Sequence, residues 1–360
     1  MKVTIYGGVD FLPKDKNFEV FIHHMLYRLC RQYASDSFIF LSCGKTYSLS
    51  GNESSAGVPV PFFARLVGTI WCNSKVVSAI KKNGADILIS LNGHPLPTLI
   101  HQILILSDIT DHKTIKAAAR YLRSSKRCSI ITSSGFMKEK LVKETVSETA
   151  VFILPQVPGS TYQPVDWEKR ESVKNKYAAG REYFLMPVSS TPHQHILTAL
   201  KAFSQFKKWQ QSNMQLILWG DLLHNKRIQE LLLTYKYRDD VKIIGNVLDD
   251  AGFPDLVGSC MAMIYLPGAD GTGITLAEAL QCATPVITVK TGALAEMGGD
   301  AVLYCDPEDI KELASIMMTL YKDEKSRHTL ISKGRQQVSL LNETIAMERL
   351  WNYMRQVVTT

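Results

Sequence analysis

Residues 270–279 read Asp-Gly-Thr-Gly-Ile-Thr-Leu-Ala-Glu-Ala and carry the clearest structural signal in the chain. An apolar run at 261–266 precedes them and predicts a strand, which Pro267 and Gly268 end. From residue 274 to 282 the apolar spacing is that of a helix packed on a sheet. The stretch therefore predicts a strand, a loop broken by glycine and a helix, in that order.

Two acidic residues, Asp270 and Glu278, bracket this loop with seven residues between them. Backbone N–H groups at a helix start carry partial positive charge, so the loop predicts a cradle for a diphosphate. A carboxylate one turn into the helix can accept hydrogen bonds from ribose hydroxyls. The expected amide donors to the diphosphate are Gly273, Ile274, Thr275 and Leu276.

The spacing resembles the acidic–seven–acidic motif of the group 1 family of retaining glycosyltransferases, which have the GT-B fold. There the pattern usually reads Glu-Gly-Phe-Gly-Leu-Pro-x-x-Glu-Ala, so Asp270 replaces the first Glu. Residues 285–307 follow the order of the same family's C-terminal signature. The resemblance implies that Asp270 lies at the donor sugar's hydroxyls and that Glu278 holds the donor ribose. It also implies that Thr291 and Gly292 shape the adjacent turn.

The resemblance further implies a nucleotide diphosphate sugar as donor substrate and a glycan or lipid-linked acceptor, as in polysaccharide biosynthesis. It places the nucleotide base at the end of an earlier strand, beside Gly245, Asn246 and Val247. The family motif is of the metal-independent kind, and no His, Asp and Glu cluster has metal-ligand spacing. We therefore expect neither a metal nor another cofactor.

Some positions depart from the family's pattern. Residues 184–195 correspond to a strand and loop that end in Pro-Arg-Lys-Asn in the family, but here His193 and Gln194 replace the Arg and Lys. Val188 replaces a glycine in the same turn. In the first half, Ser107 stands where the family has a His near the reacting sugar.

The loss of the Arg and Lys matters because fixed protein charge must stabilise a departing diphosphate when no metal is present. Lys290, at the carboxyl end of a predicted strand, is one candidate replacement. His193 and His195 are others, if they are protonated near a diphosphate. Both histidines fit polar loop positions equally well. The candidate catalytic residues are Asp270, Glu278, Lys290, His193 and Ser107.

Three functions fit these observations. The first is an active retaining glycosyltransferase that transfers a hexose. The second is a catalytically degenerate relative that binds nucleotide sugar or glycan, or serves as a partner subunit. The third is a sugar epimerase of the same fold or a dinucleotide enzyme. Only Gly7 and Gly8 follow the first strand, without Gly-x-Gly-x-x-Gly, which argues against the dinucleotide version.

The chain of 360 residues is long enough for two domains, and strand-like runs alternate with helix-like runs throughout. We expect two doubly wound Rossmann-like α/β domains facing a central cleft: an acceptor-side domain at 1–160, a nucleotide-sugar domain at 161–340, and a helix at 341–360 that packs back on the first domain. The predicted strands are 2–6, 37–42, 86–90, 103–106, 129–132, 151–154, 183–188, 215–219, 241–244, 262–266, 285–289 and 302–304. The first-half helices are predicted near 18–34, 64–83, 113–126 and 135–145.

The net charge of +7 is unevenly distributed. Residues 1–155 hold 19 Lys and Arg against 11 Asp and Glu, whereas residues 156–360 hold 22 against 23. The densest basic cluster comprises Arg120, Arg123, Lys126 and Arg127. It is either a solvated helix face or a contact for an anionic membrane surface or an anionic lipid-linked acceptor. No base-stacking module accompanies the charge, so we do not expect nucleic acid as a partner.

The cellular location is inferred from what the sequence lacks. No apolar run approaches the ~20 residues that a membrane span needs, and the N-terminus has no signal-peptide pattern. The seven cysteines are scattered and form no Cys-x-x-Cys pair, which indicates free thiols in a reducing compartment. We expect a cytoplasmic protein with peripheral attachment to the inner face of the membrane.

Overall fold

The computed structural model describes residues 1–7, 18–33, 35–43, 53–58, 64–107, 112–125, 127–144, 147–222, 225–245 and 252–359. The chain forms two compact units. The first combines Met1–Gln156 with Glu343–Thr360, and the second is Val157–Asn342. The structure thus draws its limits after 156 and 342, where the sequence analysis placed them after 160 and 340.

The first unit is a parallel sheet with helices between its strands. Its strands are β1 (Lys2–Tyr6), β2 (Ser37–Cys43), β3 (Glu53–Val58), β4 (Ile87–Ser90), β5 (His101–Ile105), β6 (Cys128–Thr132) and β7 (Val151–Ile153). Its helices are α1 (Phe18–Gln32), α2 (Ala64–Asn83), α3 (His112–Ser124) and α4 (Gly135–Lys143). The seven strands lie in the order β3-β2-β1-β4-β5-β6-β7. The central strands β4 and β6 are buried at every position, as expected when helices cover both faces of a parallel sheet.

Strand β3 was missed by the sequence analysis. Its residues, Glu-Ser-Ser-Ala-Gly-Val, have low strand propensity and no apolar alternation. It lies at the edge of the sheet and pairs in parallel with β2, from Phe38 opposite Glu53 to Cys43 opposite Val58. Backbone pairing with a strongly apolar neighbour therefore recruits a segment that the local pattern does not mark.

The second unit repeats the architecture. Its strands are β8 (Tyr183–Pro187), β9 (Gln215–Trp219), β10 (Val241–Ile244), β11 (Ala262–Tyr265), β12 (Val286–Thr288) and β13 (Leu303–Tyr304). Its helices are α5 (Trp167–Ala178), α6 (His193–Gln210), α7 (Lys226–Thr234), α8 (Gly252–Ser259), α9 (Ile274–Gln281), α10 (Gly292–Gly298), α11 (Ile310–Lys322) and α12 (Glu324–Ser339). The six strands lie in the order β10-β9-β8-β11-β12-β13, all parallel. The two sheets confirm the predicted doubly wound α/β class.

The strand order of the second sheet reverses direction between β8 and β11. The chain builds outward from β8 to β10 and then crosses back to place β11 on the other side of β8. Ligands of open α/β sheets bind outside the carboxyl ends of the strands at such a reversal. The loops that follow β8 and β11 are therefore the first place to look for a site in this unit.

The last helix, α13 (Glu343–Thr359), belongs to the first unit. The Trp351 ring stacks on Tyr33, after α1, with the ring centroids 4.2 Å apart. The Tyr353 ring stacks on Phe152 of β7, also at 4.2 Å. Arg28 of α1 also forms an ion pair with Glu343. Aromatic contacts from two faces of one helix thus hold the end of the chain on the first sheet.

The length and polarity of the helices, and the burial of the cysteines, bear on the features from which location was inferred. None of the helices that the structure describes is both long and apolar enough to cross a membrane. The cysteines with described side chains are all buried: Cys30, Cys128, Cys260, Cys282 and Cys305.

Candidate active site

The loops after β8 and β11 touch each other in the second unit. The Gly268 N–H, just past β11, donates to the Ser190 carbonyl, just past β8, over 3.2 Å. A Cβ at Gly268 would lie only 2.9 Å from the Pro192 ring, so the close approach needs a glycine. The reversal of strand order is thus lined by two loops in direct contact.

Asp270 is the centre of the loop between β11 and α9. Its Oδ1 accepts hydrogen bonds from the N–H groups of Thr272 (2.9 Å) and Gly273 (2.7 Å). Its Oδ2 accepts a hydrogen bond from the Tyr265 hydroxyl at 2.9 Å. The Thr272 hydroxyl then accepts the N–H of Ile274, at 3.2 Å. One short carboxylate therefore ties the end of the strand to the start of the helix.

Gly273 is required at the junction of this loop with α9. Its φ of +70° lies in the left-handed region that favours glycine. A Cβ there would lie 3.0 Å from Cβ of Met297 and 3.3 Å from the Ala293 carbonyl oxygen, both on α10. The start of α9 is therefore packed tightly against α10 as well as turned by a special backbone conformation.

The four predicted amide donors are not equivalent. The N–H groups of Gly273 and Ile274 already have acceptors inside the loop. The helical hydrogen-bond ladder begins with the Ala277 N–H bonded to the Gly273 carbonyl, at 3.0 Å. Thr275 and Leu276 precede it in the first turn, where N–H groups have no acceptor within the helix. The amides suited to an external anion are therefore those of Thr275 and Leu276.

Glu278 is buried in the second unit, with 7% of its surface exposed. Glu278 is therefore not a solvent-facing residue of α9. Burial raises the pKa of the Cys282 thiol to about 12, and the nearby charge of Glu278 is the second cause of this shift. Burial first, then Asp270 and last Glu278 raise the pKa of Tyr265 well above its ordinary range. A buried carboxylate is costly unless polar groups solvate it.

Lys290 follows β12 and is exposed. Its ammonium lies over the Tyr304 ring, 5.6 Å from the centroid, in a cation–π contact. Thr291 precedes α10 and its carbonyl accepts the N–H groups of Leu294 and Ala295. Gly292 has a φ of +51°. The predicted turn of Thr291 and Gly292 is thus the start of α10, the helix against which the start of α9 packs.

The two candidate histidines lie on the first turn of α6. His195 Nδ1 is 2.9 Å from the Leu266 carbonyl oxygen, just past β11. Because a carbonyl only accepts, we assign the proton to Nδ1 of His195. His193 is the first residue of the helix and is partly exposed, and Gln194 is exposed. His195 therefore links α6 to the strand reversal, a contact that the sequence did not reveal.

The loops after β8, β9 and β10 also adjoin. The Gly220 N–H, after β9, donates to the Ile244 carbonyl at 2.9 Å. A Cβ on Gly220 would lie 2.7 Å from Cγ2 of Val188, so the missing side chain makes room for the valine that departs from the family pattern. Gly245 directly follows β10. Asn246 and Val247, predicted beside the base, lie outside the described residues.

Ser107 belongs to the first unit, just past β5, and is 1% exposed. Its hydroxyl donates to Oε1 of Glu19, in the first turn of α1, at 2.5 Å. The side chain that stands in place of the family's His is therefore engaged within its own unit.

Sequence reasoning missed the two residues that complete the Asp270 cluster, Tyr265 and Thr272. A phenol at the end of a buried apolar strand needs a hydrogen-bond partner, and this rule could have marked Tyr265. Within the part of the chain that the structure describes, no group of three or more His, Cys, Asp and Glu side chains could hold a metal ion.

One family model and several known proteins resemble this chain. Residues 168–337 match the family model for glycosyl transferases group 1. The chain is 26% identical to O-antigen chain mannosyltransferase RfbU of Salmonella typhimurium over 249 residues, which cover 66% of each protein. It is 24% identical to O-antigen chain mannosyltransferase B of Escherichia coli over 246 residues, or 66% of this chain and 64% of that one. The chain thus matches just under two thirds of the length of these relatives.

Solved structures resemble nearly the whole chain. A glycosyltransferase from Rickettsia africae has a TM-score of 0.77 at 17% identity, covering 99% of each chain. Anabaena HepE in complex with UDP-glucose has a TM-score of 0.73 at 13% identity, covering 99% of this chain and 100% of that one. WaaG, from lipopolysaccharide biosynthesis, has a TM-score of 0.69 at 14% identity, covering 97% and 98%. At these identities the likeness shows the fold alone, and it confirms the predicted two-domain Rossmann-like fold of GT-B glycosyltransferases.

The family match contains the whole Asp270 loop, helix α9 and the turn at Thr291, and it occupies most of the second unit. Its residues include Glu278, whose burial the structure has now shown. Over this segment of the second unit, the chain is similar to the group 1 family of glycosyl transferases.

Proposed function

We propose that the chain transfers a hexose from a nucleotide diphosphate sugar to a glycan or lipid-linked acceptor, with retention of configuration. The observation that carries the proposal is the start of α9, where the amides of Thr275 and Leu276 precede a buried Glu278. The amides and the helix dipole suit a diphosphate, and the carboxylate suits the two hydroxyls of a ribose.

The relatives support the chemical class of this donor. Two of them are named O-antigen chain mannosyltransferases, which favours a hexose and a polysaccharide product. One neighbouring structure holds UDP-glucose, which favours a nucleotide diphosphate sugar of this size. In our proposal the base lies by Gly245, Asn246 and Val247, at the carboxyl end of β10.

Charge stabilisation is the central chemical requirement. As the glycosidic bond to phosphate breaks, negative charge grows on the diphosphate and the sugar gains oxocarbenium character. Same-face attack by the acceptor then keeps the configuration. We assign the positive charge to Lys290 and His193, with His195 also available on the first turn of α6, and we assign no metal to the reaction. Ser107 is the candidate catalytic residue of the first unit.

The first test is release of nucleoside diphosphate from UDP-glucose, UDP-galactose, GDP-mannose and ADP-glucose. Glu278→Ala should strongly reduce this release and abolish the thermal stabilisation by the matching nucleoside diphosphate. Glu308→Ala, at an exposed glutamate of the same unit, is the matched control. Wild-type protein that binds a nucleotide sugar but releases nothing would favour the alternative of a non-catalytic binding protein or partner subunit.

The surface of the first unit supports an anionic partner. Four basic residues lie on the exposed side of α3 at i, i+3, i+7 and i+10, and no acidic residue interrupts the helix: Lys113, Lys116, Arg120 and Arg123. Ile115, Ala118 and Ala119 are buried on the other side. Such a stripe fits peripheral association with anionic lipid, or with an anionic lipid-linked acceptor, in the cytoplasm.

A further inference from the structure

We infer that Asp270 is a positioning residue that shapes the diphosphate cradle, and that it does not act by binding the donor sugar. The inference rests on the proposed function, because it concerns the same loop. It departs from the role that the family resemblance implies for this position.

The first argument is the geometry of the carboxylate. Oδ1 accepts two backbone N–H groups, two and three residues further along the chain, at 2.9 and 2.7 Å. This is the local bonding pattern that Asp side chains favour in turns. Glu carries one more methylene, which moves its carboxylate away from amides so close in sequence. The shorter side chain therefore suits a loop cap rather than a reach toward substrate.

The second argument is the other carboxylate oxygen. Oδ2 accepts the hydroxyl of Tyr265, which is 4% exposed at the end of β11. Burial, and then the charge of Asp270, raise the pKa of this phenol well above its ordinary range. Tyr265 therefore remains a donor at neutral pH. Both oxygens of Asp270 are engaged by the protein, on the strand side and on the helix side.

The third argument is what the cap controls. Gly273 donates to Asp270 and adopts its positive φ immediately before α9. The Thr272 hydroxyl in turn accepts a hydrogen bond from the Ile274 N–H. Together these bonds set the direction of the first turn, and hence of the Thr275 and Leu276 amides. Removal of the cap should weaken binding of a nucleoside diphosphate that lacks the transferred sugar.

The experiment is calorimetric titration with UDP, GDP, ADP and TDP, none of which carries the transferred sugar. For the nucleotide that wild type binds most tightly, Asp270→Ala should weaken binding on the order of tenfold, since two charge-assisted bonds that order the loop are lost. Asp270→Asn keeps an acceptor oxygen for both amides and should stay within about threefold of wild type. Asp270→Glu, the family's own residue, should bind as weakly as Asp270→Ala. Asp239→Ala, at an exposed aspartate of the same unit, is the control.

The outcomes are distinct. If Asp270→Ala binds the nucleoside diphosphate as wild type does while turnover collapses, Asp270 contacts the sugar and the inference is wrong. It is also wrong if Asp270→Glu binds as well as wild type, or if Asp270→Asn binds as weakly as Asp270→Ala. Binding of none of the four nucleotides by wild type would overturn the proposed function together with this inference. Asp270→Asn should preserve the shape of the loop, so its affinity for the nucleoside diphosphate tests the inference even if Asp270→Ala is unstable.

Discussion

The two units share one strand order but use their charged residues differently. In the second unit, charges are paired internally: Lys174 with Glu182 at 2.9 Å, and Lys207 with Asp240 at 2.9 Å, both lysines being about 95% buried. In the first unit, the basic residues of α3 are exposed in one stripe. The family match covers only the second unit. The ion pairs of the second unit therefore neutralise buried charge, whereas α3 of the first unit presents positive charge to solvent.

The largest expected effect tests the ligand site of the second unit. In the proposed function two ribose hydroxyls donate to the Glu278 carboxylate, so Glu278→Ala should lower kcat/KM on the order of a hundredfold or more. The measurement is nucleoside diphosphate release under single-turnover conditions. Equal nucleotide binding by Glu278→Ala and wild type would show that the donor does not lie at α9.

The next prediction concerns the charge that meets the leaving group. Lys290→Ala should lower kcat on the order of tenfold or more, yet change nucleoside monophosphate affinity little, because the charge that Lys290 meets grows in the transition state. Lys242→Ala, at an exposed lysine of β10, is the control. If wild type turns over rapidly and Lys290→Ala has the same kcat, Lys290 does not stabilise the leaving diphosphate, and its cation–π contact with Tyr304 is its remaining role.

The converse change should raise turnover. His193→Arg combined with Gln194→Lys restores the family's pair on the first turn of α6, where Arg offers a planar fork and Lys a point charge to phosphate oxygens. We expect a severalfold gain in kcat with the best donor. The single change Gln194→Lys separates the two contributions. Silence of wild type and of the double variant, with nucleotide binding intact, would favour the non-catalytic alternative.

The next prediction concerns the surface of the first unit. Charge reversal by Lys116→Glu with Arg120→Glu should reduce sedimentation with anionic vesicles on the order of tenfold or more at low salt, since each basic residue near such a surface contributes about 1 kcal/mol. Neutral vesicles and high salt are the controls. Equal binding to anionic and neutral vesicles would remove the proposed contrast between the units.

The smallest effect concerns the internal ion pairs of the second unit. Burial alone would raise the pKa of Glu182, but Lys174 and Arg170 hold it below its ordinary 4.5. A lowered folded-state pKa adds stability above pH 4.5 that is lost as the pH falls further. Glu182→Gln should therefore lower the melting temperature at pH 7 by roughly 2–4 °C, the shift for about 1 kcal/mol, and by less at pH 3.5. A pH-independent shift would contradict this account.

The sequence predicted some parts of the molecule well and others not at all. Strands such as β4 and β11 were predicted because their apolar runs are continuous and end in turn residues. Strand β3 could not be predicted, since its pairing depends on β2 and not on its own composition. The role that the resemblance implies for Asp270 stays a prediction, as do the charge role of Lys290 and metal independence.

The sequence by itself determined the two doubly wound units, the loop before α9 and the resemblance to group 1 glycosyltransferases, because apolar period, glycine placement and acidic spacing are local patterns. Tertiary structure alone decided which groups meet. It showed that Tyr265 donates to Asp270, that His195 bonds the Leu266 carbonyl, that Gly220 makes room for Val188 and that Glu278 is buried. The physical reason is that hydrogen bonding and burial depend on which residues the folded sheet and its loops bring together. The local sequence pattern does not show which residues those are.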